Sequence, residues 1–375
     1  MIKTALVHDW LTGMRGGEKV LEALCGLFPD AAIHTLIYRK NTLSAAIENM
    51  PIKTGFLNKF PGAERNYRYY LPVMPLAISC FDMSEYDLII SVSHCVAKGI
   101  KKKRKEQIHI CYCNTPMRYI WDSFGDYFSP RRNFALWSAM LLLRPYLQYW
   151  DKKTSQEKNV DFFIANSKNV AARIKKFWDR YSEVIYPPVD TDFYTIPEDK
   201  TSAEEDFYLI VSALVPYKRI DLALKAFNKL NNKKLKIIGT GPEENYLRKL
   251  AGKNTEFLGW QDASTIREHY RHCKALIFPG EEDFGIVPVE VQSSGRPVIA
   301  YAKGGALETV IEGKTGIFFR HQTEESLLEA VEIFEKMNFD PQTISFHAEK
   351  FSKSNFITNI KSFLEKCGYK KSGVI

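Results

Sequence analysis

Ala275-Leu276-Ile277-Phe278-Pro279-Gly280-Glu281-Glu282-Asp283-Phe284-Gly285-Ile286-Val287-Pro288-Val289-Glu290 carries the organising pattern of this chain. The apolar run Ala275 to Phe278 reads as a buried strand. The backbone then turns at Pro279-Gly280 and bears three adjacent carboxylates. Gly285 lets the backbone come close to a ligand. A helix is expected to begin near Ile286, because Pro288 is tolerated in a first turn. Gly295 ends that helix, and Pro297 to Tyr301 reads as the next strand.

This layout has chemical content. Glu282 lies in the loop and Glu290 about one turn into the helix, with seven residues between them. Amide groups at a helix start favour anions, so a phosphate fits beside Phe284, Gly285, Ile286 and Val287. Carboxylates flanking that spot suit hydroxyl groups. The implied ligand is a sugar nucleotide lying across a helix N-terminus. A plain acidic solvated loop is the competing reading, and the glycine and proline framing weighs against it.

Working outward, Thr4 to Val7 reads as a strand ending at His8-Asp9-Trp10. The loop Gly13-Met14-Arg15-Gly16-Gly17 and a helical pattern from Glu18 to Leu27 follow. The glycine spacing is not Gly-x-Gly-x-x-Gly, which disfavours a dinucleotide site. Gly16 and Gly17 admit either a phosphate or a sugar to the backbone. Asp9 stands at the carboxyl end of its strand, where α/β folds place ligands. Tyr86 to His94, Gln107 to Cys113 and Asp161 to Ala165 read as further strands, delivering His94 and Asn114 to the same edge. Ser167 is placed to cap the next helix.

In the second half, Phe207 to Val211 reads as a strand, followed by Lys218-Arg219 and a helix through Leu230. A lysine and an arginine at such a turn suit a diphosphate, the lysine as a point charge and the arginine by paired bonds. Leu235 to Ile238 is a strand running into Gly239-Thr240-Gly241-Pro242. Phe257-Leu258-Gly259-Trp260 reads as the turn after another. Alternating strands and helices make an α/β chain with parallel sheets.

Length and composition set bounds. A chain of 375 residues suggests two domains, and 45% hydrophobic content is that of a globular protein. The expected division is 1–187, 188–352 and a terminal helix in 353–375, with a stiff hinge at Pro187-Pro188. Glu198 to Asp206 reads as a loop. The net charge of +8 favours an anionic partner or surface. Part of it sits in Lys101-Lys102-Lys103-Arg104-Lys105, a solvated run by default. No nucleic-acid-binding module accompanies it. The seven cysteines lack a Cys-x-x-Cys pair and suggest reduced thiols in a cytoplasmic protein. Asp190-Thr191-Asp192 lies away from the diphosphate signals, so no metal is expected. No apolar run reaches the ~20 residues that span a bilayer. Phe134 to Trp150, interrupted by Pro145 and flanked by Arg131, Arg132, Lys152 and Lys153, reads either as a packing helix or as an anionic-membrane contact.

The Glu282–Glu290 spacing resembles the Glu-x7-Glu signature of the retaining glycosyltransferases of family 4, whose fold is GT-B. Ser293-Ser294-Gly295-Arg296-Pro297, Gly304-Gly305 and Glu312-Gly313-Lys314-Thr315-Gly316 extend the likeness. It implies two Rossmann-like domains facing across a cleft, with the terminal helix Asn355 to Cys367 crossing back to the first. It implies Glu282, Lys218 and Arg219 as catalytic residues. Gly16, Gly17, Gly280, Phe284, Gly285, Ile286 and Glu290 would bind the donor, and Asp9, His94, Asn114, Arg118 and Tyr119 would face the acceptor, with Trp121 near them. The implied substrate is a nucleotide diphosphate sugar, without further cofactor. His8 to Glu18 and Asn114 to Tyr119 resemble bacterial O-antigen mannosyltransferases, which implies GDP-mannose, a glycan or lipid-linked acceptor and a place on the inner face of the cell membrane. Two positions depart from the pattern: Asn114 stands for a usual histidine, and Ala213 for a usual arginine. They leave open an epimerase or hydrolase of the same fold, or a non-catalytic binding subunit.

Overall fold

The structure is a computed structural model that describes residues 2–128, 130, 133–197, 206–230 and 232–369. Arg131, Arg132 and the expected loop 198–205 lie outside the described residues. The chain divides into two compact units, Met1–Pro188 with Phe356–Ile375, and Val189–Asn355.

The first unit holds strands β1 (Thr4–His8), β2 (Ala32–Thr35), β3 (Ile52–Thr54), β4 (Leu88–Ser93), β5 (Ile108–Cys113), β6 (Phe162–Ala165) and β7 (Glu183–Val184). All pair in parallel, in the order β3-β2-β1-β4-β5-β6-β7. The central strands β1 and β4 are buried along their whole length, which is why apolar residues stand side by side in them, as in Ala5-Leu6-Val7 and Leu88-Ile89-Ile90, rather than alternating with polar ones. Parallel pairing forces a crossover after each strand, and the helices that supply it cover both faces. The helix Lys353–Lys366 belongs largely to this unit: Phe356, Ile360, Phe363 and Leu364 lie in one core with Leu6 and Val92. Their spacing of four, three and one residues puts them on one helical face.

The second unit holds β8 (Phe207–Val211), β9 (Lys234–Ile238), β10 (Thr255–Gly259), β11 (Ala275–Phe278), β12 (Val298–Tyr301) and β13 (Gly316–Phe319), again parallel, in the order β10-β9-β8-β11-β12-β13. The helix Ile286–Ser293 follows β11.

In each sheet the chain builds outward from the first strand, then returns to build on its other side. The loops after β1 and β4, and after β8 and β11, therefore diverge. In parallel α/β sheets such a divergence opens a crevice at the strands' carboxyl ends.

Three expectations need correction. Phe257 to Gly259 form the end of β10 rather than a turn after it; the polar start Thr255-Glu256 hid the strand. Tyr86 and Asp87 lie before β4, where Asp87 instead receives the Lys3 amide at 3.0 Å and Arg104 at 2.9 Å. Pro145 does not interrupt its helix, which runs from Phe134 to Thr154. Pro145 is on the exposed side, so the Leu141 carbonyl that loses its helical donor can be served by water.

Candidate functional site

In the second unit the loops after β8 and β11 are fitted backbone to backbone. A Cβ on Gly280 would stand 2.9 Å from Lys218 Cα and 3.0 Å from the Tyr217 carbonyl oxygen. Gly304 and Gly305 pass so close to Glu282 and Phe284 that neither has room for a side chain, and the Gly305 amide donates to the Glu282 carbonyl at 2.8 Å. Gly285 has φ +84°, a left-handed conformation that glycine adopts at low cost, and ends the loop at the first turn of helix Ile286–Ser293. The absence of a side chain at Gly280 thus serves the fit between these two loops.

This fitting brings Lys218 onto Glu282: the ammonium pairs with the carboxylate, both partly exposed. Glu290 accepts from the Tyr270 hydroxyl at 3.0 Å. Tyr270 is fully buried, and burial together with the Glu290 charge raises its pKa well above the usual phenol value, so it stays a donor. Arg219 is employed differently from its expected role. Its backbone is left-handed (φ +53°), its Nε donates to Asp221 at 3.1 Å and its Nη1 to Gln322 at 3.0 Å. Gln322 in turn donates to the Pro279 carbonyl at 2.9 Å. Arg219 therefore braces the loop that carries Glu282. The Phe284 ring is buried against Phe351, at 5.5 Å between centroids, so its backbone is the part left to meet a ligand beside Ile286.

In the first unit the loops after β1 and β4 meet at Asp9. Its carboxylate is wholly buried and accepts four consecutive amides: His94 at 2.7 Å, Cys95 at 3.0 Å, and Val96 and Ala97 at 2.6 Å. It also holds His94 Nδ1 at 3.1 Å. Asp9 was expected to face an acceptor; instead it is a positioning residue with no surface to offer. His94 keeps 28% of its side chain exposed, edge-on to Trp10 at 4.5 Å. Its pKa is lowered, burial outweighing the attraction of Asp9.

Gly16 and Gly17 open the helix Gly16–Leu27. A Cβ on Gly16 would meet nothing within 4 Å. One on Gly17 would stand 3.0 Å from Asn114 Nδ2 and 3.3 Å from His8 Nε2. His8, which the sequence reading did not single out, brings its ring against this loop, with Nδ1 2.9 Å from the Trp10 carbonyl oxygen. The signal was present: a histidine as the last residue of the first apolar strand, at the ligand edge. Asn114 is held by its backbone, its amide on the Ser93 carbonyl at 2.8 Å and its carbonyl under Asn166 at 2.9 Å.

The remaining acceptor-side expectations divide. Tyr119 turns its hydroxyl inward to Cys95 Sγ at 2.8 Å, and Trp121 donates to buried Asp151 at 2.7 Å while stacking on Phe177. These two pack the unit rather than present polar groups. Arg118 stays partly exposed. The basic run is also less free than expected: Lys102 is bound by Asp161 at 2.6 Å and Arg104 by Asp87 at 2.9 Å. Among the described residues no group of three or more His, Cys, Asp or Glu could hold a metal ion, and no helix is long and apolar enough to cross a membrane.

Residues 193–353 match the family model described as glycosyl transferases group 1. The D-inositol 3-phosphate glycosyltransferase of Mycobacteroides abscessus is 30% identical over 189 residues, which is 44% of this chain and 42% of that protein. The GDP-mannose-dependent alpha-(1-6)-phosphatidylinositol monomannoside mannosyltransferase of Mycolicibacterium smegmatis is 29% identical over 159 residues, 36% of this chain and 42% of that protein. The chain spans about half the length of the curated relatives it matches. Sucrose-phosphate synthase from Thermosynechococcus elongatus superposes with a TM-score of 0.72 at 16% identity, covering 98% of this chain and 99% of that one. The fold is thus that of two Rossmann-like domains shared with glycosyltransferases of the GT-B class.

Proposed function

We propose that the protein is a retaining glycosyltransferase of family 4. It takes mannose from GDP-mannose and passes it to a hydroxyl of a glycan or lipid-linked glycan in cell-surface polysaccharide synthesis. The observation that carries this reading is the convergence of Lys218, Glu282 and a helix start at the carboxyl ends of β8 and β11, with Glu290 one turn away. The family model over the second unit supports the reaction class.

Bond cleavage at the sugar leaves negative charge on the nucleotide diphosphate. Stabilising that charge is the main demand on the protein. The Lys218 ammonium and the amides at Ile286 and Val287 meet it. A diphosphate draws Lys218 from Glu282, which frees the carboxylate for sugar hydroxyls. Glu290, held by Tyr270, accepts from the ribose. Charge neutralisation by Lys218 makes a metal unnecessary in this scheme.

On the first unit, helix Phe134–Thr154 buries Met140, Leu147 and Asp151. It exposes Phe134, Leu141, Leu142, Tyr146 and Tyr149 on the opposite arc, with Lys152 and Lys153 at its end. An apolar arc beside cations suits the interface of an anionic membrane, and the proposal includes peripheral association there.

The test is a donor panel with a lipid-linked glycan fraction, with and without EDTA. Mannosyl transfer that survives EDTA is expected, with Lys218→Ala lowering kcat at least ~100-fold, the scale of lost charge stabilisation. Donor turnover without an acceptor would make the protein a hydrolase or epimerase. Donor binding without turnover would make it a binding subunit.

A further inference from the structure

We propose that Phe351 is a positioning residue for the donor's diphosphate. Its ring holds Phe284, and through Phe284 the amides of Ile286 and Val287, and so ties the donor loop to the two segments by which the chain passes between its units. The proposal rests on the glycosyltransferase reading above and adds how that site is kept in place.

The chain leaves the first unit after Pro188 and returns to it at Phe356. On the second unit's side the two passing segments are joined. The Val189 amide donates to the Phe351 carbonyl at 2.9 Å, and the Lys353 amide donates to the Val189 carbonyl at 3.2 Å, so Val189 and Ser352 pair as a short parallel bridge. The Thr191 hydroxyl donates to the Glu349 carboxylate at 3.2 Å. Val189, Thr191 and Ser352 are all buried. These bonds fix Phe351 within a clasp rather than on a free loop.

The Phe351 ring reaches from this clasp to the donor loop. It lies 5.5 Å from the Phe284 ring at 63°, within the range of edge-on aromatic pairs, and 5.6 Å from the His347 ring at 82°. His347 is itself anchored, with Nε2 3.1 Å from the Thr309 carbonyl oxygen. Both phenylalanines are buried, yet neither is among the residues of the two hydrophobic cores that flank the second sheet. Their contact therefore serves the loop rather than the sheet. The other side of Phe284 is closed, because Gly305 lies so near its main chain that no Cβ would fit there. Phe284 is thus held between Gly305 and Phe351. Gly285 and the helix Ile286–Ser293 follow it directly. A displacement of the Phe351 ring carries those amides with it, since packed interiors transmit such shifts instead of absorbing them.

Phe351→Ala removes the ring, and Phe351→Leu keeps an apolar side chain without it. Phe334→Leu is the control, a buried ring of the same unit stacked on Phe339 at 5.3 Å. Calorimetric titrations with GDP and UDP are read on whichever the wild type binds more tightly, and the unfolding midpoint in urea is recorded for each variant. Small misplacements of a binding group are costly, so nucleotide affinity should fall about tenfold in Phe351→Ala and about threefold in Phe351→Leu. It should stay at the wild-type value in Phe334→Leu, at a comparable loss of midpoint. The KM for the nucleotide sugar should rise by the same factors while the KM for the acceptor holds. Where Phe351→Ala does not fold, the leucine variant alone decides. Wild-type affinity in Phe351→Leu, or an equal loss in Phe334→Leu, would overturn the proposal and leave the glycosyltransferase reading in place. Wild type that binds neither nucleotide would remove that reading, and the proposal with it.

Discussion

Replacing Asp9 by asparagine separates a ligand-binding carboxylate from a structural one. In the structure Oδ2 accepts the amides of His94 and Cys95 and the His94 ring nitrogen, and Oδ1 accepts the amides of Val96 and Ala97. Asparagine is nearly the same size but supplies one acceptor and one NH2 group. Whichever way the amide is turned, at least two backbone N–H groups lose their acceptor and face another donor. Each buried donor stranded in this way costs ~1–3 kcal/mol, so the expected loss is ~2–5 kcal/mol. That is a large share of the stability of an ordinary domain, ~5–15 kcal/mol. Trp10, Trp121, Trp137, Trp150 and Trp178 lie in the first unit and Trp260 alone in the second, so intrinsic fluorescence follows chiefly the unit that holds Asp9. With a urea slope near ~3 kcal/mol/M, the unfolding midpoint should fall by ~1 M. A midpoint within ~0.2 M of wild type, together with a raised KM for the acceptor, would refute this reasoning and return Asp9 to the ligand.

Glu18 is buried under the first turn of its helix, and burial raises its pKa to about 7. A carboxyl raised above its unfolded value contributes stability at low pH and loses it as pH rises through 7; Glu18→Gln should therefore stabilise by ~1–3 kcal/mol at pH 8 and change little at pH 5, as read by urea titration at both. Lys98 and Asp151 form a fully buried pair at 3.0 Å, with the indoles of Trp121 and Trp178 both donating to Asp151 at 2.7 Å. Lys98→Met strands that carboxylate and should cost ~3–5 kcal/mol by the same fluorescence assay, whereas a small loss would mean that the two indoles suffice. Leu142 and Tyr149 are 83% and 65% exposed, so their replacement by glutamate should spare the fold and abolish co-sedimentation with anionic vesicles at low salt. Wild type that stays in the supernatant would remove the membrane proposal.

Much of the scaffold was legible because parallel strands buried on both faces write themselves as short apolar runs. Ala275 to Phe278 and Phe207 to Val211 have the strand limits that the sequence indicates. The strands β2, β3, β7 and β13 escaped notice: at two to four residues they carry too little period to be told from loops. The site was legible as a set of loops and much less as a set of roles. Glycines at 280, 304 and 305 mark a close approach, but the sequence does not say whether a ligand or another backbone is approached. Here it is the backbone, and its fitting is what brings Lys218 to Glu282. Likewise a carboxylate after the first strand signals the ligand edge without saying which way it faces. Asp9 turns inward because four successive amides across the switch point need an acceptor, and that need belongs to residues 85 to 88 positions away in the chain. His8, one residue earlier, turns the other way for the same reason: the Trp10 carbonyl fixes one nitrogen and sets its opposite against Gly17. Neighbours in sequence are thus turned apart by partners that no local pattern records.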